Sequence, residues 1–144
     1  MSSKTITSAE NMIRNYLIDF SSLKSDKCCE YWLYPSALVC NDKSSKLFKD
    51  SYECKNYYTI LFLSLNTKNY KMTKIDSLII TPINKNIVIA NLNARRVDIN
   101  DSLIQKLNCI YTLFVGEDLN PKIKVATCFW IFECFFKFMK IFNF

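Results

Sequence analysis

The sequence predicts a single α+β domain, and three observations lead there. Apolar residues recur at helical spacing through the first half of the chain and give way to strand-like runs in the second. Half of the 144 residues are hydrophobic, with one Gly and three Pro, so the chain can bury enough apolar surface to offset its ordering entropy. No repeat or low-complexity linker divides it, and the apolar pattern runs from Ile6 to the end.

Thr7-Ser8-Ala9-Glu10 has the form of a capping box, with Thr7 as N-cap. Met12, Ile13, Tyr16, Leu17 and Phe20 then share one face of a helix ending near Ser21. A short second helix is expected from Ser25 through Cys28, Cys29 and Trp32, stopping before Pro35. Ser36 to Cys40 reads as a buried strand, followed by turn residues Asn41 to Ser45. A third helix is expected from about Asp50 to Asn66, with Cys54, Tyr57, Tyr58, Leu61 and Leu65 on one face. Four strands follow: Met72–Thr81, Ile87–Val97, Leu107–Val115 and Lys122 to about Phe132. A long connection up to Lys106 separates the middle two, and Gly116 to Pro121 marks a turn before the last.

The seven cysteines are odd in number, no CxxC pair occurs, there is no His, and no secretory signal is evident. Most thiols therefore read as small buried hydrophobes in a reducing cytoplasm, and no metal site is expected. The net charge is +6, but its lysines are scattered among acids, which argues against a nucleic-acid-binding face.

Tyr31 to Leu38 after the first helices, Asn108 to Phe114 as a central strand, and Lys122-Ile123-Lys124-Val125-Ala126 at the close form a recognisable order. With it the chain resembles the nuclear transport factor 2-like superfamily over Thr7 to Phe132. The resemblance implies a cystatin-like cone: three N-terminal helices packed in the concavity of a strongly curved, mostly antiparallel sheet. On that division, residues 1–132 form the domain and 133–144 an apolar C-terminal extension. The superfamily includes ketosteroid isomerases, polyketide cyclases, dehydratases, transport factors and uncharacterised members, and fold alone does not choose among them.

Without His, no Ser-His-Asp triad, Cys-His nucleophile or His-Asp dehydratase pair is possible, and one Gly cannot build a phosphate loop. What remains is a carboxylate base assisted by a tyrosine, and such a base needs an apolar pocket to raise its pKa. Asp42 lies where an isomerase-like base would fall, although Asn41-Asp42-Lys43 reads better as a solvated turn. Asp98, near the end of the long strand, sits where an acidic electrophile could be placed, although its charged surroundings read better as a surface edge. Tyr16 could donate into the cone, or be core with its hydroxyl at the rim.

Trp32, Tyr34, Tyr58, Tyr111 and Trp130 are expected to line a pocket or to pack as core. Arg95 could pair with an acidic ligand, although a solvated strand end is the preferred state of Arg95 and Arg96. The leading expectation is a cone that binds an apolar or cyclic small molecule, homodimeric through its sheet, without a cofactor. An isomerase or cyclase using Asp42 and Tyr16, or a protein-interaction module, are the alternatives. The tail from Phe129 to Phe144 is too short and too charged for a membrane span. It reads as a packed end, a partner-binding segment or an interfacial anchor.

Overall fold

The computed structural model describes residues 3–42 and 44–131. The order is α1 (Ser3–Ser21), α2 (Ser25–Cys29), β1 (Trp32–Cys40), β2 (Lys46–Phe48), α3 (Ser51–Thr67), β3 (Tyr70–Pro82), β4 (Ile87–Asp98), β5 (Leu103–Phe114) and β6 (Lys122–Ile131). The strands form one six-stranded sheet in the order β2-β1-β6-β5-β4-β3. All neighbours are antiparallel except β1 and β6, which run parallel. The helices cover the inner face of this curled sheet, so the α+β cone expected from the sequence is the observed architecture. The expected extension 133–144 lies outside the described residues.

The helix α1 begins one turn earlier than its capping box implies. Thr5 and Ala9 are buried on the same face as Met12, Ile13 and Tyr16, so docking of that extra turn outweighs a stop at Thr7. Glu10 is drawn instead to Arg14, 3.0 Å away at i,i+4. The helix α2 ends at Cys29, and Trp32 opens β1 rather than closing a helix. The Asp50 side chain caps α3 by accepting from the Glu53 backbone N–H at 3.0 Å. The strand β5 starts four residues before its expected position. Asp98 accepts from the N–H groups of both Asn100 and Ser102, and Asp101 takes φ 60°, so a tight turn replaces the expected long connection.

The core is one cluster. It runs from Ala9, Ile13 and Phe20 of α1, through Tyr58 and Phe62 of α3, to the inner face of β4, β5 and β6. Period-2 alternation selects that face: Val88, Ala90, Leu92 and Ala94 on β4, and Leu107, Cys109, Tyr111 and Leu113 on β5, are all buried. The short β2, unforeseen in the sequence, follows the same rule, with Phe48 at 1 % exposure against Trp32 and Leu47 at 72 %. Phe48→Ala is expected to cost about 3–5 kcal/mol of unfolding free energy. Leu47→Ala should stay within about 0.5 kcal/mol. Urea denaturation of both variants checks the assignment, and equal losses would contradict it.

Candidate functional site

Strand parity brings the site together. On β4 the alternation that buries Val88, Ala90, Leu92 and Ala94 also turns Arg96 into the cone and Arg95 out of it. Arg95, a candidate partner for an acidic ligand with a solvated strand end as its preferred state, lies on the outer face, its Nε donating to Asp76 Oδ1 at 2.9 Å across the β3–β4 pair. Arg96, expected to be solvated, is buried at 6 % exposure. Its direct cross-strand partner is Gln105, and Arg96 Nη1 donates to Gln105 Oε1 at 2.6 Å. The guanidinium also sits 4.8 Å from the Phe20 ring centroid and 5.9 Å from that of Trp130.

Around this group opens a cavity of about 720 Å³ between α3, β2 and the sheet. Tyr57, Ile60, Leu61 and Leu65 supply its apolar helix wall, with Leu47 and Phe48 opposite, and Arg96, Gln105 and Trp130 at the sheet. Asp42, Glu53, Lys46 and Lys68 stand at its lip. Deeper in the cone lies a void of about 30 Å³, room enough to hold a water. Tyr57, Leu61, Arg96 and Trp130 border both spaces, so Arg96 stands where the mouth narrows to the apex.

The apex is a hydroxyl junction. Trp32 Nε1 donates to Tyr58 Oη at 2.9 Å, and Tyr58 Oη lies 2.6 Å from Tyr16 Oη. Whichever phenol donates to the other, one phenolic proton is left without an acceptor among the described residues. Burial pushes both phenols well above their ordinary pKa, so they remain neutral donors. Tyr111 borders the same void and is raised by the same desolvation.

The charge on Arg96 is felt inside the cone, where it partly offsets the desolvation that raises Tyr57. Burying a cation costs several kcal/mol. A hydrogen bond from a charged group to a neutral amide returns about 1.5–3 kcal/mol, and stacking on an aromatic face about 0.5–2 kcal/mol. Among the described residues no carboxylate lies within 4 Å of this guanidinium, and its Nε is buried with no hydrogen-bond partner.

The other expected residues separate. Asp42 lines the mouth from an exposed turn, not from an apolar pocket. Its carboxylate accepts from the Ser44 hydroxyl, from Ser44 N–H at 2.8 Å and from Trp130 Nε1 at 3.1 Å. These hydrogen bonds, led by that of the Ser44 hydroxyl, hold it below the usual carboxylate range, the reverse of what a general base requires. Tyr16 borders the inner void and not the mouth that Asp42 lines, so the two do not meet in that cavity. Tyr34 is tied to the Cys29 carbonyl at 2.7 Å and borders a separate shallow groove with Leu33 and Tyr52. Asp98 is spent on its turn. Among the described residues no group of three His, Cys, Asp or Glu is arranged to hold a metal, and no helix is long and apolar enough to cross a membrane.

Residues 7–123 match the sequence profile of the family described as NTF2-like protein (DUF6841). The chain belongs to this family. Comparison with curated proteins finds no match. Among solved structures it is similar to a Nostoc punctiforme protein of unknown function with a cystatin-like fold. That pair has a TM-score of 0.72 at 7 % identity, over 91 % of this chain and 94 % of the other. An NTF2-like protein from Novosphingobium aromaticivorans gives 0.68 at 7 % identity, over 83 % and 77 %. A ketosteroid isomerase-like protein from Erwinia carotovora atroseptica gives 0.59 at 8 %, over 85 % and 92 %. At such identities the likeness is one of fold.

The hydroxyl junction yields an ordering of stabilities. Tyr58→Phe leaves both Trp32 Nε1 and Tyr16 Oη without their partner and is expected to cost about 1–3 kcal/mol. Tyr16→Phe leaves Tyr58 still accepting from Trp32 and should cost only about 0.5–1.5 kcal/mol. Equal losses in urea denaturation would show that the junction is not centred on Tyr58.

Proposed function

We propose that this NTF2-like domain is a small-molecule-binding protein whose cone takes an apolar or cyclic ligand. The observation that carries the reading is the cavity of about 720 Å³ walled by Tyr57, Ile60, Leu61, Leu65 and Trp130. A concave, mainly apolar space with a few converging polar groups is the usual form of such a site. Trp32, Tyr58 and Tyr111 border the inner void beneath this cavity, and Trp130 borders both spaces. The six described cysteines are free, and burial pushes Cys28 up to about 12, which favours a reducing cytoplasm as the location. An isomerase-type activity through Asp42 and Tyr16 finds support in the fold alone, since the two side chains border different spaces.

The neutral fluorescent probe N-phenyl-1-naphthylamine tests the cavity. It is expected to bind and to change Trp130 emission. Leu61→Trp, at a position bordering both spaces, should weaken binding by at least about tenfold, or about 1.4 kcal/mol. A wild-type protein that leaves the probe in solution counts against the reading.

We further propose that the domain pairs through the outer face of its sheet. Val39, Thr127, Ile110, Asn91 and Ile79 are neighbours in one row across five strands of that face. Phe129, beside this row, is half exposed. Such a mixed apolar row suits a self-complementary two-fold contact. Light scattering coupled to size exclusion should give twice the chain mass for the wild type and the single mass for Ile110→Asp. A wild-type monomer would dismiss the pairing.

A further inference from the structure

We propose that the ligand of the cone is an apolar acid, a ring or chain compound bearing one carboxylate, and that Arg96 is the group that holds the anion. This deepens, and rests on, the reading of the cone as a ligand cavity. Arg96 is 6 % exposed, borders the mouth and the inner void, and has no carboxylate partner among the described residues. The acids at the lip are engaged elsewhere: Asp42 with Ser44 and Trp130, and Glu53 with the Lys49 backbone N–H at 2.8 Å. A buried guanidinium whose charge no described residue matches is complementary to a charge brought from outside.

The group is also held in place beforehand. Gln105, its neighbour across the β4–β5 pair, takes Nη1, and the rings of Phe20 and Trp130 flank the fork. Orientation of the fork is therefore settled before the anion arrives, which lowers the entropic cost of binding. A second, separate observation points the same way. The polar hydrogens left over in the cone are donors: the Nε–H of Arg96 and the spare phenolic proton of the Tyr16–Tyr58 pair. A cavity with spare donors and a buried cation that no described carboxylate pairs selects an acceptor-rich, negative group. Tyr57, Ile60, Leu61 and Leu65 then demand that the rest of the molecule be apolar.

The test compares 2-naphthylacetate with 2-naphthylacetamide, alike in shape and different in charge, by calorimetric titration at pH 7.5 against the wild-type chain and Arg96→Met. The acid is expected to bind the wild type at least about tenfold more tightly than the amide, as a charge-assisted hydrogen bond allows. In Arg96→Met the acid should lose at least about tenfold more affinity than the amide, so that its advantage over the amide vanishes. Equal binding of acid and amide to the wild type overturns the proposal while leaving the cavity reading intact. So does binding of N-phenyl-1-naphthylamine without binding of the acid. Failure of all three compounds overturns the cavity reading itself, and the proposal with it. An acid preference that survives in Arg96→Met removes Arg96 as the anchor. Should Arg96→Met not fold, the wild-type comparison still decides on the charge, and Arg96→Lys, which keeps the cation but loses the fork, should retain part of the preference.

Discussion

The Tyr58 hydroxyl is where the three parts of the cone meet. It accepts the indole N–H of Trp32 at the start of β1 and shares a proton with Tyr16 of α1, while its own ring belongs to α3. Two helices and a strand distant in sequence are thereby fixed to one buried atom. Directional bonds of this kind in a low-dielectric interior specify one arrangement, where apolar packing alone tolerates several. The ring of Tyr58 also packs against Phe20, Tyr57 and Phe62, so the same residue organises the aromatic cluster that fills the apex. What the cone can hold is bounded by this cluster below and by α3 and β2 above.

Against that fixed floor the sheet presents Arg96. A cation in such a place is a poor contributor to stability, since Gln105 and two aromatic faces do little more than offset its desolvation. Its presence is a departure from the local rule that otherwise fills β4 with Val88, Ala90, Leu92 and Ala94. Departures of this sort mark places where an interior serves something other than its own folding. The cavity beside it gives that departure a setting: apolar walls, a cation at the narrowing, and neutral phenols beyond.

The helices, the four C-terminal strands and their succession were legible because each rests on a period that the sequence displays. The ends of elements were less so. The box at Thr7 lost to docking of one more turn, and the turn at Asp98 was hidden because its carboxylate works on backbone groups two and four residues on. β2 was missed because three residues carry too little pattern to read, although they enclose one side of the mouth. Arg95 and Arg96 show the sharpest case. Composition places both in water, yet the alternation of β4, followed one residue at a time from Val88, already assigns Arg96 to the interior. The ion pair of Arg95 with Asp76 and the bond of Arg96 to Gln105 depend on register, which the chain reveals only once it is folded. For Asp42 the turn reading was the sounder one: its neighbours supply donors to the carboxylate, and so stabilise the charge that a base would have to give up.

The parallel contact between β1 and β6 has a bearing on how the chain reaches this state. Hairpin-like neighbours β3, β4, β5 and β6 can zip in sequence, each against the strand just made. β1 cannot. Its partners Ile123 to Cys128 lie almost the full length of the domain away, so Trp32 to Cys40 must wait with only β2 beside it. Until the last strand is synthesised, Leu38 has no Ala126 to pair with and Trp130 is not present to complete the wall above it. Among the described elements, then, the cavity is completed last during synthesis, and any molecule that occupied it would act on the late, long-range closure more than on the meander that precedes it.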